Sequence, residues 1–582
     1  MSIDGISRQK AKASGAETGR PVLRGVNHMV SAGHYLAAVA AFEVLEAGGN
    51  AIDAGVAGGI VLSVVQSELV NFAGVAPIII REGGSGTVKS ISGLGWWPRA
   101  MTATLFRDRH GAKIPHGLLR SVVPAAPDAW ILALRRYGTL PFGDVASAAI
   151  RLARDGFVMY PLMAELIATF ADEYARWPSS ASIYLPGGRA PRVGERFVQS
   201  DLAGTLQYMA DQEAAAAAGG REAGLVAARD AFYRGDIAHA IAQFHAENGG
   251  LLTLQDLAEY ASEIEDTPSV SFHGVGVHGC GAWCQGPSLL QIFRMLQSSD
   301  VAAHGHNTAD YLHVFVEIVK LAFADRHAYL GDPRFVSPPV ERLLSESYAH
   351  QRLSRINPGR AFRALPVEGG YIDPHLPLAP EPRDDPTPPS LDTSYICVAD
   401  RWGNCFSATP SDVSYDTPVI PGTGLAGSSR GSQSWADPDH PSSVRPGKRP
   451  RLTPSPALAV GRDGRVIPFG TPGGDVQAQA MTQVLMNLLA FGMDPQQAVE
   501  APRFASYSFP DSFEPHDFYP GRLHLEAGIG PAVGAELEAR GHDVNWWPDL
   551  TWRAGAVCLI DSHGGLHAGA ADPRRPCYAI GW

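Results

Sequence analysis

The chain has 582 residues, of which 45% are hydrophobic and 18% are charged, and its formal net charge is −12 at neutral pH. That length can bury a large core, in about two to four domains or in one large domain with additions. A net negative charge argues against a nucleic-acid partner, because proteins that bind phosphate backbones present basic patches. The most apolar stretch, residues 54–70, is interrupted by polar residues and is too short to cross a bilayer. We therefore expect a soluble protein without a nucleic-acid or membrane partner.

The N-terminus and the cysteines both predict a cytoplasmic protein. Residues 1–20 are polar and of mixed charge, without the apolar segment of a secretory signal. Six cysteines in so long a chain are too few for a disulfide framework, so we expect reduced thiols. The cluster of His278, Cys280 and Cys284 lacks a fourth ligand and the close spacing of a zinc site. No metal and no cofactor are predicted.

Helical periodicity marks four segments before residue 373. The helix over Thr308–Tyr329 has one apolar stripe, and its charged residues Glu317, Lys320 and Arg326 are expected on the surface. The other three end at glycines, which commonly terminate helices: His34–Leu45, Ala129–Tyr137 and Phe142–Asp155.

The organisation changes near residue 373. Seven prolines lie between Asp373 and Asp392, which predicts an extended, solvated linker. Alternation in residues 393–399 and 405–409 then predicts a β-hairpin, and residues 457–460 and 466–469 predict another. The chain thus divides into a flexible tail (1–24), a large portion (25–392) that ends in the linker (373–392), and a small portion (393–582). The linker either joins two domains or must move away from Thr393.

The start of the small portion fits a specific chemistry. A threonine hydroxyl is a weak nucleophile unless a base lies beside it, and the α-amine of an N-terminal threonine can be that base. Such an amine has an ordinary pKa of about 8, which suits proton transfer near neutral pH. Thr393 becomes N-terminal only if the bond after Asp392 is broken. Because most threonines at strand starts are structural, this pattern alone leaves both interpretations open.

Six stretches, in order along the chain, resemble one known family: Ala47–Ala54, Tyr137–Phe142, Phe232–Asp236, Leu321–Arg326, Gly331–Pro333, and Asp392–Tyr395 followed by Asp400–Asn404. From about residue 25 onward, the chain resembles the γ-glutamyltransferases, a branch of the N-terminal nucleophile hydrolases. The resemblance implies an α+β fold, the four-layer αββα sandwich. It also implies an amide-cleaving enzyme made as a zymogen that cuts itself between Asp392 and Thr393 into a two-chain heterodimer, with any higher oligomer left open.

The resemblance also assigns the catalytic residues. The family's processing threonine falls on Thr393, and its two oxyanion-binding glycine amides fall on Gly473 and Gly474. Backbone amides can converge on an oxyanion where no side chain obstructs them, although a plain glycine turn before a helix is the alternative. The hydroxyl that supports the nucleophile falls on Ser411, with Thr409 as a nearby alternative.

The family's glutamate-binding residues are not retained. Its arginine, asparagine, acidic residue and serine pair fall on Leu94, Val413, Gln433, Leu452 and Thr453. A zwitterionic glutamyl group needs charged and hydrogen-bonding partners to offset its desolvation. We therefore predict an amidohydrolase with a different acyl group, whose small-molecule amide substrate contacts Gln433 and Thr453.

Two further features are candidates for the new pocket. Trp96 and Trp97 are predicted to contact a flat or apolar acyl group, with core packing as the alternative. Arg430 is predicted to pair with a substrate carboxylate, with an exposed surface arginine as the alternative. Related enzymes with altered pockets include oxamate amidohydrolases and β-lactam acylases, so a small oxamate-like acid amide is the first hypothesis. A true γ-glutamyltransferase or glutathione hydrolase, and an uncleaved, inactive binding protein, are the rivals.

Overall fold

The computed structural model describes residues 18–372 and 393–582; the predicted linker, Asp392 and residues 1–17 lie outside this range. Its α-helices are α1 Tyr35–Glu46, α2 Ala51–Val65, α3 Ala103–His110, α4 Ala126–Tyr137, α5 Phe142–Asp155, α6 Pro161–Thr169, α7 Ala171–Ala175, α8 Pro178–Tyr184, α9 Ser200–Ala215, α10 Arg221–Tyr233, α11 Asp236–Glu247, α12 Leu254–Ala258, α13 Gly286–Gln297, α14 Ala309–Tyr329, α15 Val340–Leu343, α16 Glu346–Leu353, α17 Val476–Leu489, α18 Pro495–Glu500 and α19 Pro531–Ala539. The four helices predicted from periodicity are confirmed as α1, α4, α5 and α14, with ends that differ by at most a few residues.

The strands are β1 Leu23–Gly25, β2 His28–Ala32, β3 Ile78–Arg81, β4 Val88–Ile91, β5 Phe157–Val158, β6 Arg196–Phe197, β7 Ile264–Asp266, β8 Ser269–Phe272, β9 Val275–His278, β10 Ile396–Asp400, β11 Cys405–Ala408, β12 Val419–Ile420, β13 Leu425–Ala426, β14 Ala457–Gly461, β15 Val466–Gly470, β16 Phe504–Ser506, β17 Arg522–Glu526, β18 Asp543–Trp547, β19 Cys558–His563, β20 Leu566–Ala571 and β21 Tyr578–Gly581. Both predicted hairpins are confirmed, as the antiparallel pairs β10–β11 and β14–β15.

Two antiparallel sheets form the centre of the molecule. One has the strand order β21-β2-β10-β11-β3-β4-β7 and the other has the order β1-β20-β19-β15-β14-β9-β8. Helices α1 and α2 cover the outer face of the first sheet, while α13, α17 and α18 lie on the second. Small and apolar side chains such as Tyr395, Leu458 and Cys558 fill the space between the sheets. This is the predicted α+β, four-layer αββα sandwich.

Helix α2 explains the apolar stretch noted in the sequence. All of its residues are buried, because it packs on β10 and β11 with its other sides against α1, α4 and α5. Its start is fixed by a capping box, in which Asn50 accepts from the amide of Asp53 and the Asp53 carboxylate accepts from the amide of Asn50. Among the described residues, no helix has the length and apolar character needed to cross a membrane.

The charged residues of α14 are not on the surface, so that prediction was wrong. Glu317, Lys320 and Arg326 are all buried. Lys320 Nζ donates to Glu317 Oε1 over 2.7 Å, and Arg326 forms an ion pair with Asp475 at the start of α17. Periodicity could not reveal this, because buried charges are tolerated only where tertiary structure supplies an opposite charge.

The N-terminal boundary also differs from the predicted tail of residues 1–24. Leu23 and Arg24 belong to β1, which pairs antiparallel with β20 near the C-terminus. The preceding Gly19 donates its amide to Glu500 over 2.6 Å. Backbone pairing across hundreds of residues leaves no periodic signal in a three-residue strand, so the sequence did not predict it.

Candidate active site

Thr393 lies just before β10 and is buried. Its Oγ1 is 2.7 Å from the Oγ of Ser411, and the two residues form an isolated antiparallel bridge. The amide of Ser394 donates to the carbonyl of Pro410 over 3.0 Å, which holds the two segments in register. The hairpin that the sequence predicts therefore brings two hydroxyls together in the interior of the protein.

A buried ion pair lies beside these hydroxyls. Arg430 Nη2 donates to Ser411 Oγ, and Arg430 Nε is 3.7 Å from Asp412 Oδ1. The Asp412 carboxylate also accepts from the hydroxyls of Ser428 and Ser429. Burial raises the pKa of Asp412, and the positive charge of Arg430 opposes that rise. Arg430 is thus a buried partner of Ser411 and not an exposed surface arginine.

The segment that follows Ser411 is anchored by a second buried ion pair. Arg120 Nη1 donates to both carboxylate oxygens of Asp416, over 2.6 and 2.8 Å. Burial by itself would raise the pKa of Asp416, but the charges and hydrogen bonds of Arg120 and His116 lower it to about 2. The pair ties the stretch before α4 to the segment carrying Ser411.

Replacing Arg120 by methionine is expected to destabilise the protein by about 3–5 kcal/mol at pH 7, because Asp416 is left as an uncompensated buried charge. The folded-state pKa of Asp416 lies below its ordinary value of about 4. The stabilisation that the Arg120–Asp416 ion pair provides is therefore present above about pH 4 and is lost as the pH falls towards 2. Thermal unfolding at pH 7 and pH 3 measures the effect. The difference in unfolding temperature between Arg120→Met and wild type should be smaller at pH 3 than at pH 7. The control Arg154→Met, which removes an exposed ion pair, should unfold at the wild-type temperature at both pH values.

Gly473 and Gly474 form the turn between β15 and α17. Their φ angles of +120° and +53° lie in the region that favours glycine. Gln285 Nε2 donates to the carbonyl of Gly474 over 3.2 Å and to the carbonyl of Thr453 over 2.7 Å. Asp475, the next residue, is held by Arg326 and by the hydroxyl of Ser512. The turn is therefore braced from two directions and ends in the first turn of α17.

The positions that correspond to the family's glutamate-binding residues are filled by other contacts. Leu94 and Leu452 belong to the apolar cluster between the sheets, and Val413 is buried in the core on the other side of the first sheet. Gln433 Nε2 donates to Thr453 Oγ1 over 2.8 Å. Within the described residues the Oε1 atom of Gln433 is buried and has no hydrogen-bond partner. None of these five residues carries a charge.

The remaining predicted site residues are Trp97, Trp96 and Thr409. Trp97 is fully buried, packs beneath the Arg430–Gln433 turn, and donates its indole N–H to Ser434 Oγ over 3.0 Å. Trp96 is partly exposed and packs against the ring of Tyr260. Thr409 donates its amide to the carbonyl of Pro77, and in the described part of the chain its Oγ1 has no partner. A substrate contact for the tryptophans and a catalytic role for Thr409 stay predictions.

One group of three possible metal ligands occurs in the described residues, and it contains no cysteine. His313, Glu317 and His542 place their ligand atoms within 4.8 Å of one another. Both oxygens of Glu317 are already engaged, by Lys320 Nζ and by the amide of Phe362. Because the Lys320 ammonium already neutralises the carboxylate, a dication there would add uncompensated buried charge. Cys280 and Cys284 are buried and form no disulfide bond, as is the case for the other four cysteines, and their reduced state stays a prediction.

Three residues of the site carried no clear signal in the sequence. Asp412 is buried within an otherwise uncharged stretch, and its charge next to the supporting serine was the one available sign. Gln285 is the N-cap residue of α13, about two hundred residues before the turn that it braces. Gly74 lies against Ser411, and a Cβ there would come within 2.3 Å of the Ser411 carbonyl oxygen. Each role depends on long-range packing that a single sequence does not display.

Comparisons with known proteins agree with this fold. A family model described as Gamma-glutamyltranspeptidase matches residues 37–582. The chain is 32% identical to the "Acylase ACY 1 proenzyme" of Pseudomonas sp. (strain SE83), covering 92% of this chain and 90% of that one. It is 30% identical to the "Glutathione hydrolase-like YwrD proenzyme" of Bacillus subtilis (strain 168), covering 96% and 99%.

Among solved structures, the cephalosporin acylase from Bacillus halodurans superposes with a TM-score of 0.84 at 29% identity, covering 98% of both chains. Relatives that span almost the whole chain are thus acylases and glutathione hydrolases. This protein is therefore an amidohydrolase or acyltransferase that belongs to the gamma-glutamyltranspeptidase family of N-terminal nucleophile hydrolases.

Proposed function

We propose that this protein cuts itself before Thr393 and that the freed threonine is the nucleophile of an amidohydrolase. The observation that carries the proposal is the buried contact of 2.7 Å between Thr393 Oγ1 and Ser411 Oγ at the start of β10. The relatives from Pseudomonas sp. and Bacillus subtilis named above are proenzymes, which supports a precursor that is processed into two chains. The Thr393 hydroxyl becomes an effective nucleophile only when a base accepts its proton, and the α-amine that cleavage frees is such a base.

Self-cleavage follows from the same atoms. Thr393 Oγ1 adds to the carbonyl of Asp392, the bond from that carbonyl to the Thr393 nitrogen breaks, and the nitrogen takes the hydroxyl proton. The ester so formed is hydrolysed by water, which releases the Asp392 carboxylate and regenerates the Thr393 hydroxyl beside a free amine. In turnover, the Thr393 hydroxyl attacks the carbonyl carbon of the substrate amide. The α-amine of Thr393 accepts the hydroxyl proton and passes it to the nitrogen of the leaving group. The amides of Gly473 and Gly474 stabilise the oxyanion, and water then releases the acyl group.

We propose further that the acyl group is not γ-glutamyl. Leu94, Leu452 and Val413 cannot bind a carboxylate or an ammonium group, and Gln433 and Thr453 hydrogen-bond to each other. These replacements favour an acyl group without a zwitterionic head, such as that of a small oxamate-like acid amide. Glutathione hydrolysis is the second candidate, because curated relatives include the "Glutathione hydrolase proenzyme" of Escherichia coli (strain K12), 29% identical over 554 residues.

The substrate proposal predicts the order of activities in an amide panel. We expect kcat/KM for γ-glutamyl-p-nitroanilide to be about 10- to 100-fold below that for the best small acid amide, because hydrogen bonds to a charged head group are missing. Release of p-nitroaniline and of ammonia measures the two reactions. Protein carrying Thr393→Ala controls for contaminating amidases. A preference for the γ-glutamyl compound would make glutathione hydrolysis the function.

Processing itself is tested on purified active protein by mass spectrometry. We expect two chains, of which the smaller begins with Thr393. A single full-length chain in material that turns over amides would overturn the proposed mechanism, and a single chain without activity would favour an uncleaved binding protein.

A further inference from the structure

Two charged residues beside the hydroxyl pair, Asp412 and Arg430, are both buried. The side chains of Asp412 and Arg430 are 0% and 1% exposed, and their closest charged atoms are 3.7 Å apart. A lone charge at this depth would be strongly unfavourable, so each residue depends on the other. Because the pair lies next to Ser411, its charges act directly on the hydroxyl pair.

Asp412 fixes the turn on which Arg430 lies. Its Oδ2 accepts from Ser428 Oγ over 2.5 Å, while its Oδ1 accepts from the amide and the hydroxyl of Ser429 over 3.0 and 2.7 Å. The ring of Phe513 lies 5.5 Å from the guanidinium carbon of Arg430. The turn also packs tightly at Gly431, where a Cβ would come within 2.2 Å of the Arg120 carbonyl oxygen. The guanidinium group is therefore held in place before any substrate arrives.

The directions of the hydrogen bonds around Ser411 follow from the chemistry of its partners. A guanidinium group can only donate, so Ser411 Oγ accepts from Arg430 Nη2. Thr393 Oγ1 is a second partner of the same serine oxygen, at 2.7 Å. When Thr393 loses its proton, its oxygen can only accept, and Ser411 becomes the donor. The positive charge behind Ser411 strengthens that donation, and it acts at full effect in a buried site.

We propose that Arg430, held by Asp412, is a positioning residue that orients Ser411 to donate to Thr393 Oγ1 as negative charge develops on that oxygen. The proposal rests on the proposed role of Thr393 as the nucleophile. Before cleavage, Thr393 has no free α-amine, so the stabilisation of its developing negative charge matters at least as much in self-cleavage as in turnover. Self-cleavage also involves no external substrate, which separates this role from the binding of a substrate carboxylate.

The test compares Arg430→Met, Arg430→Lys and the double variant Asp412→Asn/Arg430→Met, in which no buried charge is left alone. Precursor made by cell-free synthesis is followed on denaturing gels to give the self-cleavage rate, and cleaved protein gives kcat and KM. We expect Arg430→Met and the double variant to self-cleave and turn over about 10- to 100-fold more slowly, with KM within about threefold of wild type. Arg430→Lys, which keeps a donor and a charge, should be intermediate.

A chemical rescue distinguishes positioning from mere packing. Added guanidinium at millimolar concentration should accelerate self-cleavage of Arg430→Ala severalfold and leave wild type unchanged. Arg229→Met is the matched control, because it removes another mostly buried arginine, whose carboxylate partner is Asp128. It should lower stability and leave the self-cleavage rate unchanged.

The proposal is overturned if the folded double variant self-cleaves at the wild-type rate. It is also overturned if Arg430→Met raises only KM, which would make Arg430 a substrate-binding residue. Self-cleavage of Thr393→Ala would instead remove the nucleophile assignment on which the proposal depends, so the two failures are distinguishable.

Discussion

Protein carrying Thr393→Ala is expected to remain a single chain of about 61.9 kDa and to have no measurable amidase activity. The alanine removes both the attacking oxygen of self-cleavage and the nucleophile of turnover, while Ser411 keeps its contact with Arg430. Denaturing gels and mass spectrometry of the purified protein measure the first effect, and an amide panel measures the second.

Two variants make the Thr393 result specific. Thr393→Ser keeps a hydroxyl and should still be cleaved, more slowly than wild type. Thr205→Ala removes another buried threonine, whose hydroxyl donates to the carbonyl of Thr423 over 2.7 Å, and should be processed at the normal rate. Efficient cleavage of the Thr393→Ala chain at the same bond would show that another residue performs the cut.

Replacing Gly473 by alanine is expected to lower kcat by about 10²- to 10³-fold, the usual loss when one oxyanion donor is displaced. The backbone of Gly473 has a φ of +120°, which an L side chain rarely adopts, so the turn must shift and its amides move. KM should change much less than kcat, since the amides act on charge that develops during the reaction. Steady-state kinetics on cleaved protein provides the measurement.

Strain alone must be separated from the loss of the oxyanion site. Gly48 also has a positive φ, +98°, and a Cβ there would meet no atom within 4 Å. Gly48→Ala should therefore show a comparable loss of stability with an unchanged kcat. If Gly473→Ala retained kcat within about threefold of wild type, the turn between β15 and α17 would not be the oxyanion site.

The candidate site residues came from the resemblance, because it connected short motifs to known roles. The structure brings Ser411 against Thr393 and Gln433 against Thr453, while the catalytic roles of these residues stay predictions. The bracing of Gly474 by Gln285 and the pairing of Asp412 with Arg430 were not predicted. These contacts join residues from separate turns and helices, so neither periodicity nor motif spacing contains them.

The sequence by itself determined the local elements, because helix and strand periods follow from repeated apolar positions along α1, α5 and α14 and along the two hairpins. It also determined the family, because ordered motifs survive where overall identity is low. Only the tertiary structure decided where charge is buried. Five residues have charged side chains of a kind that is usually exposed, yet each is buried against an opposite charge: Glu317, Lys320, Arg326, Asp412 and Arg430. The physical reason is that a charge enters the core only when folding brings it a partner, and the partner's identity is a property of the whole chain.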